Sequence, residues 1–129
     1  MATFILPYPA HRWRDMRQND NPTCYEFLEE VLKKDKPTRE KVCFQLLQPY
    51  FGDGAPSIDN FEMISVDIDK HFLIGSLEVE FVVDIYFGCD GMDNQKEGDE
   101  TIHFKLDQAK KTITFTIPEL EKRSTFEEF

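Results

Sequence analysis

Along the 129-residue chain the spacing of apolar residues changes once, near residue 60. Before that point it follows a helical period. Cys24, Phe27, Leu28, Val31 and Leu32 recur at i, i+3, i+4, i+7 and i+8, the stripe of an amphipathic helix. Asn21-Pro22 supplies an N-cap and a first-turn proline, and Asp35-Lys36-Pro37 ends the pattern, so a helix is predicted over about 22–34. Glu29–Lys33 and Glu30–Lys34 add favourable i,i+4 pairs on its outer face. A second stripe, Val42, Cys43, Leu46, Leu47 and Tyr50, leaves Phe44 aside. With Thr38 as its cap and Pro49 as its stop, it predicts a helix over about 38–48. The short connection makes the two an antiparallel hairpin.

Gly52 to Asn60 reads as a loop by its turn residues, and beyond it the period is two. Ile64, Val66 and Ile68 alternate with polar residues, which predicts a strand over about 62–69. Over about 72–87, Leu77, Val79, Phe81, Val83, Ile85 and Phe87 form one apolar row. Glu78, Glu80, Val82, Asp84 and Tyr86 form the other. Gly75 is expected to mark a bulge or bend. Shorter alternations predict strands over about 101–107 and 112–117, with Asp107–Lys111 as their turn. Gly88–Glu100 reads as a polar hairpin loop. Residues 10–21 read as an irregular or partly helical connection, and Thr3–Leu6 as a candidate edge strand. Pro118 opens a candidate short helix over 119–123, followed by an acidic-aromatic tail. Strands with one apolar face each need a cover on that face. The expected architecture is therefore a single α+β domain over 1–129. A helical hairpin packs on one face of a four-stranded antiparallel meander, and a short C-terminal helix follows.

Register then predicts the open face. If apolar rows share a side, it carries Glu78, Glu80, Asp84, Tyr86, His103, Lys105 and the Thr112/Thr114/Thr116 row. His103 is expected across from Asp84 or Tyr86, with Thr116 as its neighbour on the next strand.

Charge makes that face more distinctive. The chain carries a net charge of −10 from 25 acids and 15 bases. Residues 1–51 sum to +1 and residues 52–129 to −11. An acidic half repels nucleic acid and anionic lipid, which need Lys or Arg to displace counterions. It attracts cations and basic proteins. Three cysteines, Cys24, Cys43 and Cys89, without a C-x-x-C, argue against a disulfide framework and for a reducing, cytoplasmic setting. Phe4-Ile5-Leu6 is too short for a signal segment, and no stretch approaches the roughly 20 apolar residues of a membrane span.

Candidate chemistry is sparse. Asp84, Tyr86 and His103 form the one constellation suited to acid–base work, because a carboxylate can orient an imidazole and raise its pKa. No nucleophile or oxyanion donor accompanies them. The 88–100 loop is rich in oxygen ligands but fails the calcium-loop pattern. Counting from Asp93 puts Phe104 in the twelfth place, where a bidentate Glu belongs. His11, His71, His103 and Cys89 lack metal-ligand spacing. Gly52-Asp-Gly-Ala-Pro-Ser57 follows a helix, and Pro56 blocks the helix a dinucleotide fingerprint requires. His11–Arg17, with three Arg around the single Trp, is short and sits in an acidic protein. Pairing of Arg12 or Arg14 with the acidic sheet and packing of Trp13 explain it better than nucleic-acid binding.

The reading that follows is a non-catalytic protein-interaction domain that binds a basic partner protein, as immunity proteins, inhibitors and secretion chaperones do. Glu78, Glu80, Asp84, Tyr86 and His103 are the expected contact residues. No catalytic residue, metal or cofactor is assigned, and neither nucleic acid nor membrane is an expected partner. Two alternatives are a small enzyme or ligand-binding domain using Asp84, Tyr86 and His103, and a structural homodimer joined through the open face.

Overall fold

The structure, a computed structural model, describes residues 2–19, 23–50, 55–86 and 93–118. Among the described residues are three α-helices: α1 (Ala10–Asn19), α2 (Cys24–Leu32) and α3 (Lys36–Leu47). Six strands accompany them: β1 (Ala2–Pro7), β2 (Ala55–Ser57), β3 (Phe61–Ile68), β4 (Ile74–Tyr86), β5 (Asp93–Asp107) and β6 (Thr112–Ile117). The strands form one antiparallel sheet in the order β1-β6-β5-β4-β2, with β3 also on β4, curled into a half-barrel. The α+β class and the helical hairpin agree with the sequence pattern. The four-stranded meander is corrected to six strands, because the N-terminal segment pairs along β6 and Ala55–Ser57 pairs with the far end of β4.

The helix starts follow from side-chain caps. Thr23 and Glu26 form a capping box at α2, each side chain meeting the other's backbone N–H. The predicted cap, Asn21, lies outside the described residues. For α3 the cap is Asp35 rather than Thr38: its carboxylate accepts the Thr38 N–H at 2.9 Å, and Pro37 sits in the first turn. Residues 10–19, expected to be irregular at least in part, form a regular helix. It is held from outside its own sequence. The Trp13 Nε1–H donates to the Phe72 carbonyl at 3.0 Å, and Met16 is buried. Arg12 meets Glu30 of α2 at 3.2 Å, not the acidic sheet.

The helices fill the hollow of the half-barrel. Leu28, Leu32, Val42 and Leu46 are fully buried against the inward rows of the strands, among them Leu77, Val79, Val83, Ile102, Ile113 and Phe115. Burying each such side chain contributes about 1.5–3 kcal/mol. The helices also reach both edges of the sheet. The Tyr25 hydroxyl donates to the Met63 carbonyl of β3 at 2.8 Å, and Lys41 Nζ donates to the Ile5 carbonyl of β1 at 3.4 Å. Such contacts blunt strands that would otherwise recruit further strands. No described element packs on the opposite face.

Every residue of β4 has a partner on β5, from Ile74↔Lys105 to Tyr86↔Asp93. The segment read as an acidic 88–100 loop is therefore largely strand, since pairing begins at Asp93. Two glycines let this ribbon curve. Gly75 lies opposite Phe104 and Gly98 opposite Phe81, and in each pair the ring occupies the space a side chain would take. Gly75 is thus a point of close approach. The bulge expected there falls instead on the neighbouring strand, between Met63 and Ser65, and turns Ile64 outward.

Two predictions test this frame. A Cβ at Gly75 would collide with the Asp67 carbonyl and lie 2.6 Å from Phe104 Cζ. Backbone cannot yield as a flexible side chain does, so Gly75→Ala is expected to cost about 3 kcal/mol in urea unfolding. The second concerns the β3–β4 turn. The Asp69 carboxylate accepts the N–H groups of Ile74 and Leu73, at 3.0 and 2.8 Å. These bonds hold its pKa below the ordinary aspartate value, the Ile74 bond contributing most. A lowered folded pKa means stability that is complete above the unfolded value and lost as pH falls through the folded one. Asp69→Asn should therefore leave a shallower loss of stability on acidification below about pH 4 than the wild type shows in pH-dependent unfolding.

Candidate functional site

The open face of the sheet is a set of cross-strand rows whose character changes along β5. At one end the row is Ile5, Thr114, Lys105 and Ile74. Next come Thr3, Thr116, His103 and Ser76. Ser65, Glu78 and Thr101 follow, and then Glu62, Glu80 and Asp99. Beyond these, Val82 faces Glu97, and Asp84 lies between Ser57 and Gln95. A further row, Pro7, Thr112 and Asp107, lies beyond Lys105, and Asp67 pairs with Ser76, so charge is mixed at this end and acidic at the other.

The acidic end forms a trough of about 740 Å³. Asp59, Glu62, Glu80, Asp84, Glu97 and Asp99 contribute six carboxylates to its lining, and among the described residues no Lys or Arg lines it. Asp84 accepts a hydrogen bond from Gln95 Nε2 at 2.8 Å. Glu62, Glu80 and Asp99 are all exposed and directly opposed across three strands. Like charges opposed in this way destabilise a sheet. The arrangement therefore holds repulsion that a bound cationic group would relieve. A smaller groove of about 170 Å³, lined by Ile64, Glu78, Glu80, Asp99 and Thr101 among others, continues it.

Of the expected contact residues, Glu78, Glu80 and Asp84 lie on the open face at the acidic end. Tyr86 closes β4 opposite Asp93. His103 is corrected in position: it faces Ser76 on β4, while Asp84 faces Gln95 eight residues away along β5. Its other neighbour is Thr116, as expected. The Asp84/Tyr86/His103 constellation is therefore not assembled, because the β4–β5 ribbon is longer than the alternating apolar rows suggested. His103 is exposed and lines neither the trough nor its side groove. Among the described residues no group of three or more His, Cys, Asp or Glu side chains is placed to hold a metal ion. Cys24 and Cys43 are free thiols against the core, and burial pushes the Cys24 thiol up to about 11, away from reactivity. Cys89, the candidate 119–123 helix and the tail lie outside the described residues.

The trough residues that the sequence pattern missed are Asp59, Glu62, Glu97 and Asp99. The signal was present in the alternation of Gln95, Glu97, Asp99 and Thr101. It was hidden because the intervening positions, Lys96, Gly98 and Glu100, are not apolar. Four of the five large apolar side chains exposed among the described residues also lie on this face: Ile5, Ile64, Ile74 and Val82, the fifth being Phe44 on α3.

No protein-family model, curated protein or solved structure matches the chain. No described helix is long and apolar enough to cross a membrane.

The carboxylate row makes its own prediction. Glu80 has a like charge on both sides, so Glu80→Gln should raise stability by about 0.5 kcal/mol at low salt. The gain should shrink toward zero at about 1 M salt, where exposed charges are screened. Thermal or urea unfolding at the two ionic strengths checks both.

Proposed function

We propose that this protein is a non-catalytic interaction domain whose open sheet face binds a basic partner protein. The observation that carries the reading is the trough of six carboxylates, with no Lys or Arg in its lining among the described residues. Exposed apolar side chains on the same face support a macromolecular partner over a free cation, since protein interfaces combine an apolar area with a polar surround. A homodimer through this face is disfavoured, because each copy carries a net charge of −10 and Lys105 with His103 offers little positive charge to oppose the trough. The dispersed positions of Asp84 and His103 remove the motive for an enzyme reading.

Electrostatic complementarity mainly sets association rate and partner choice. Capture from a native extract with the wild type and with a Glu80→Lys/Asp99→Lys variant tests the reading. Basic proteins should be retained by the wild type, released as salt rises, and absent from the variant. Retention of the same proteins by both, or loss that does not depend on salt, would sink the proposal.

A further inference from the structure

The interaction face has one point that differs from the rest. β3 pairs with β4 as far as Phe81, and β2 resumes the pairing at Asp84. Between them no described strand lies beside Val82 and Val83 on that side. The intervening residues, Ile58 to Asn60, leave the sheet edge, and Asp59 and Asn60 become a wall of the trough. Val83 points into the core, while Val82 is 43% exposed and lies on the trough floor.

Val82 is surrounded by acids. Glu80 and Asp84 flank it on its own strand, Glu97 faces it directly on β5, and Asp99 lies diagonally across. Same-face neighbours along a strand stand about 7 Å apart, and diagonal partners about 7–8 Å. The result is an apolar seat within a ring of carboxylates. A free metal ion or ammonium gains nothing from the apolar seat. A long cationic side chain does, because its methylene stem covers apolar surface while its charged head reaches the acids. Of the two such side chains, Arg fits better. Its planar fork donates several hydrogen bonds at once and bridges neighbouring carboxylates, and it is more weakly hydrated than an ammonium.

We propose that Val82 and the ladder gap beside it form the anchoring point of the interface, seating an arginine side chain of the partner. The stem lies on Val82, and the guanidinium meets Glu97 together with Glu80 or Asp84. This proposal rests on the reading of the open face as the site for a basic protein.

The test uses the full chain and three labelled peptides of equal length: hexa-arginine, hexa-lysine and hexa-citrulline, the last isosteric with arginine but neutral. Anisotropy is followed at about 0.15 M salt, where weak long-range attraction is screened. Hexa-arginine should bind about threefold or more tightly than hexa-lysine, and hexa-citrulline should not bind. Glu97→Gln should weaken hexa-arginine about fivefold. Val82→Thr, nearly isosteric and unchanged in charge, should weaken it about threefold. Glu40→Gln, which removes an exposed acid from α3, should leave it unchanged. Equal affinity for the two cationic peptides would overturn the arginine seat and leave the basic-partner reading standing. So would Val82→Thr binding as the wild type does, or Glu97→Gln having no more effect than Glu40→Gln. Failure of both cationic peptides to bind better than hexa-citrulline would overturn the seat and the basic-partner reading together.

Discussion

The β4–β5 pairing is the constraint on which the rest of the molecule depends. β3 and β2 hang from one side of this ribbon, and β6 followed by β1 from the other. A flat ribbon of this length would leave the helices nothing to fill, since a sheet must curve to enclose a core. Gly75 beneath Phe104 and Gly98 beneath Phe81 permit the curvature by letting a ring lie where a side chain would stand. The helices then close the hollow, and Tyr25 and Lys41 tie them to the carbonyls at its two margins.

Much of this frame was legible as periodicity. The stripes around Phe27 and Leu46 and the row from Leu77 to Ile85 are buried as their spacing implies, because burial on one side of a helix or strand leaves a regular trace. What escaped the pattern escaped for physical reasons. Residues 10–19 contain Arg12, Arg14, Asp15 and Arg17 and few apolar positions. Their helix depends on Trp13 reaching a carbonyl 59 residues away, which spacing within the segment cannot reveal. Residues 93–100 lack an apolar row because their inward positions are filled by Lys96, Gly98 and Glu100. Without that row, the strand resembled a loop. The candidate site inherited the error. Once eight more residues join β5, His103 moves away from Asp84, and Glu97 and Asp99 take its place.

The open face and the sheet edges thus differ in what they offer another molecule. At the edges, helix side chains already occupy the Met63 and Ile5 carbonyls. The face is unobstructed by any described element and carries both unscreened acids and apolar side chains. The carboxylate row also works against folding, since Glu62, Glu80 and Asp99 repel one another across the ladder. The core must therefore stabilise the fold against its own surface.

The order of the rows has a further consequence. Along β5 the outward positions run Asp107, Lys105, His103, Thr101, Asp99 and Glu97, so Lys105 lies toward one end and adjacent carboxylates gather toward the other. The face therefore has a direction as well as a charge. A charged patch alone draws a partner closer but leaves its orientation to chance. A lateral dipole exerts a torque, which turns an approaching body before surfaces meet. Encounters would then arrive already aligned along the strands, with fewer fruitless collisions for each productive one.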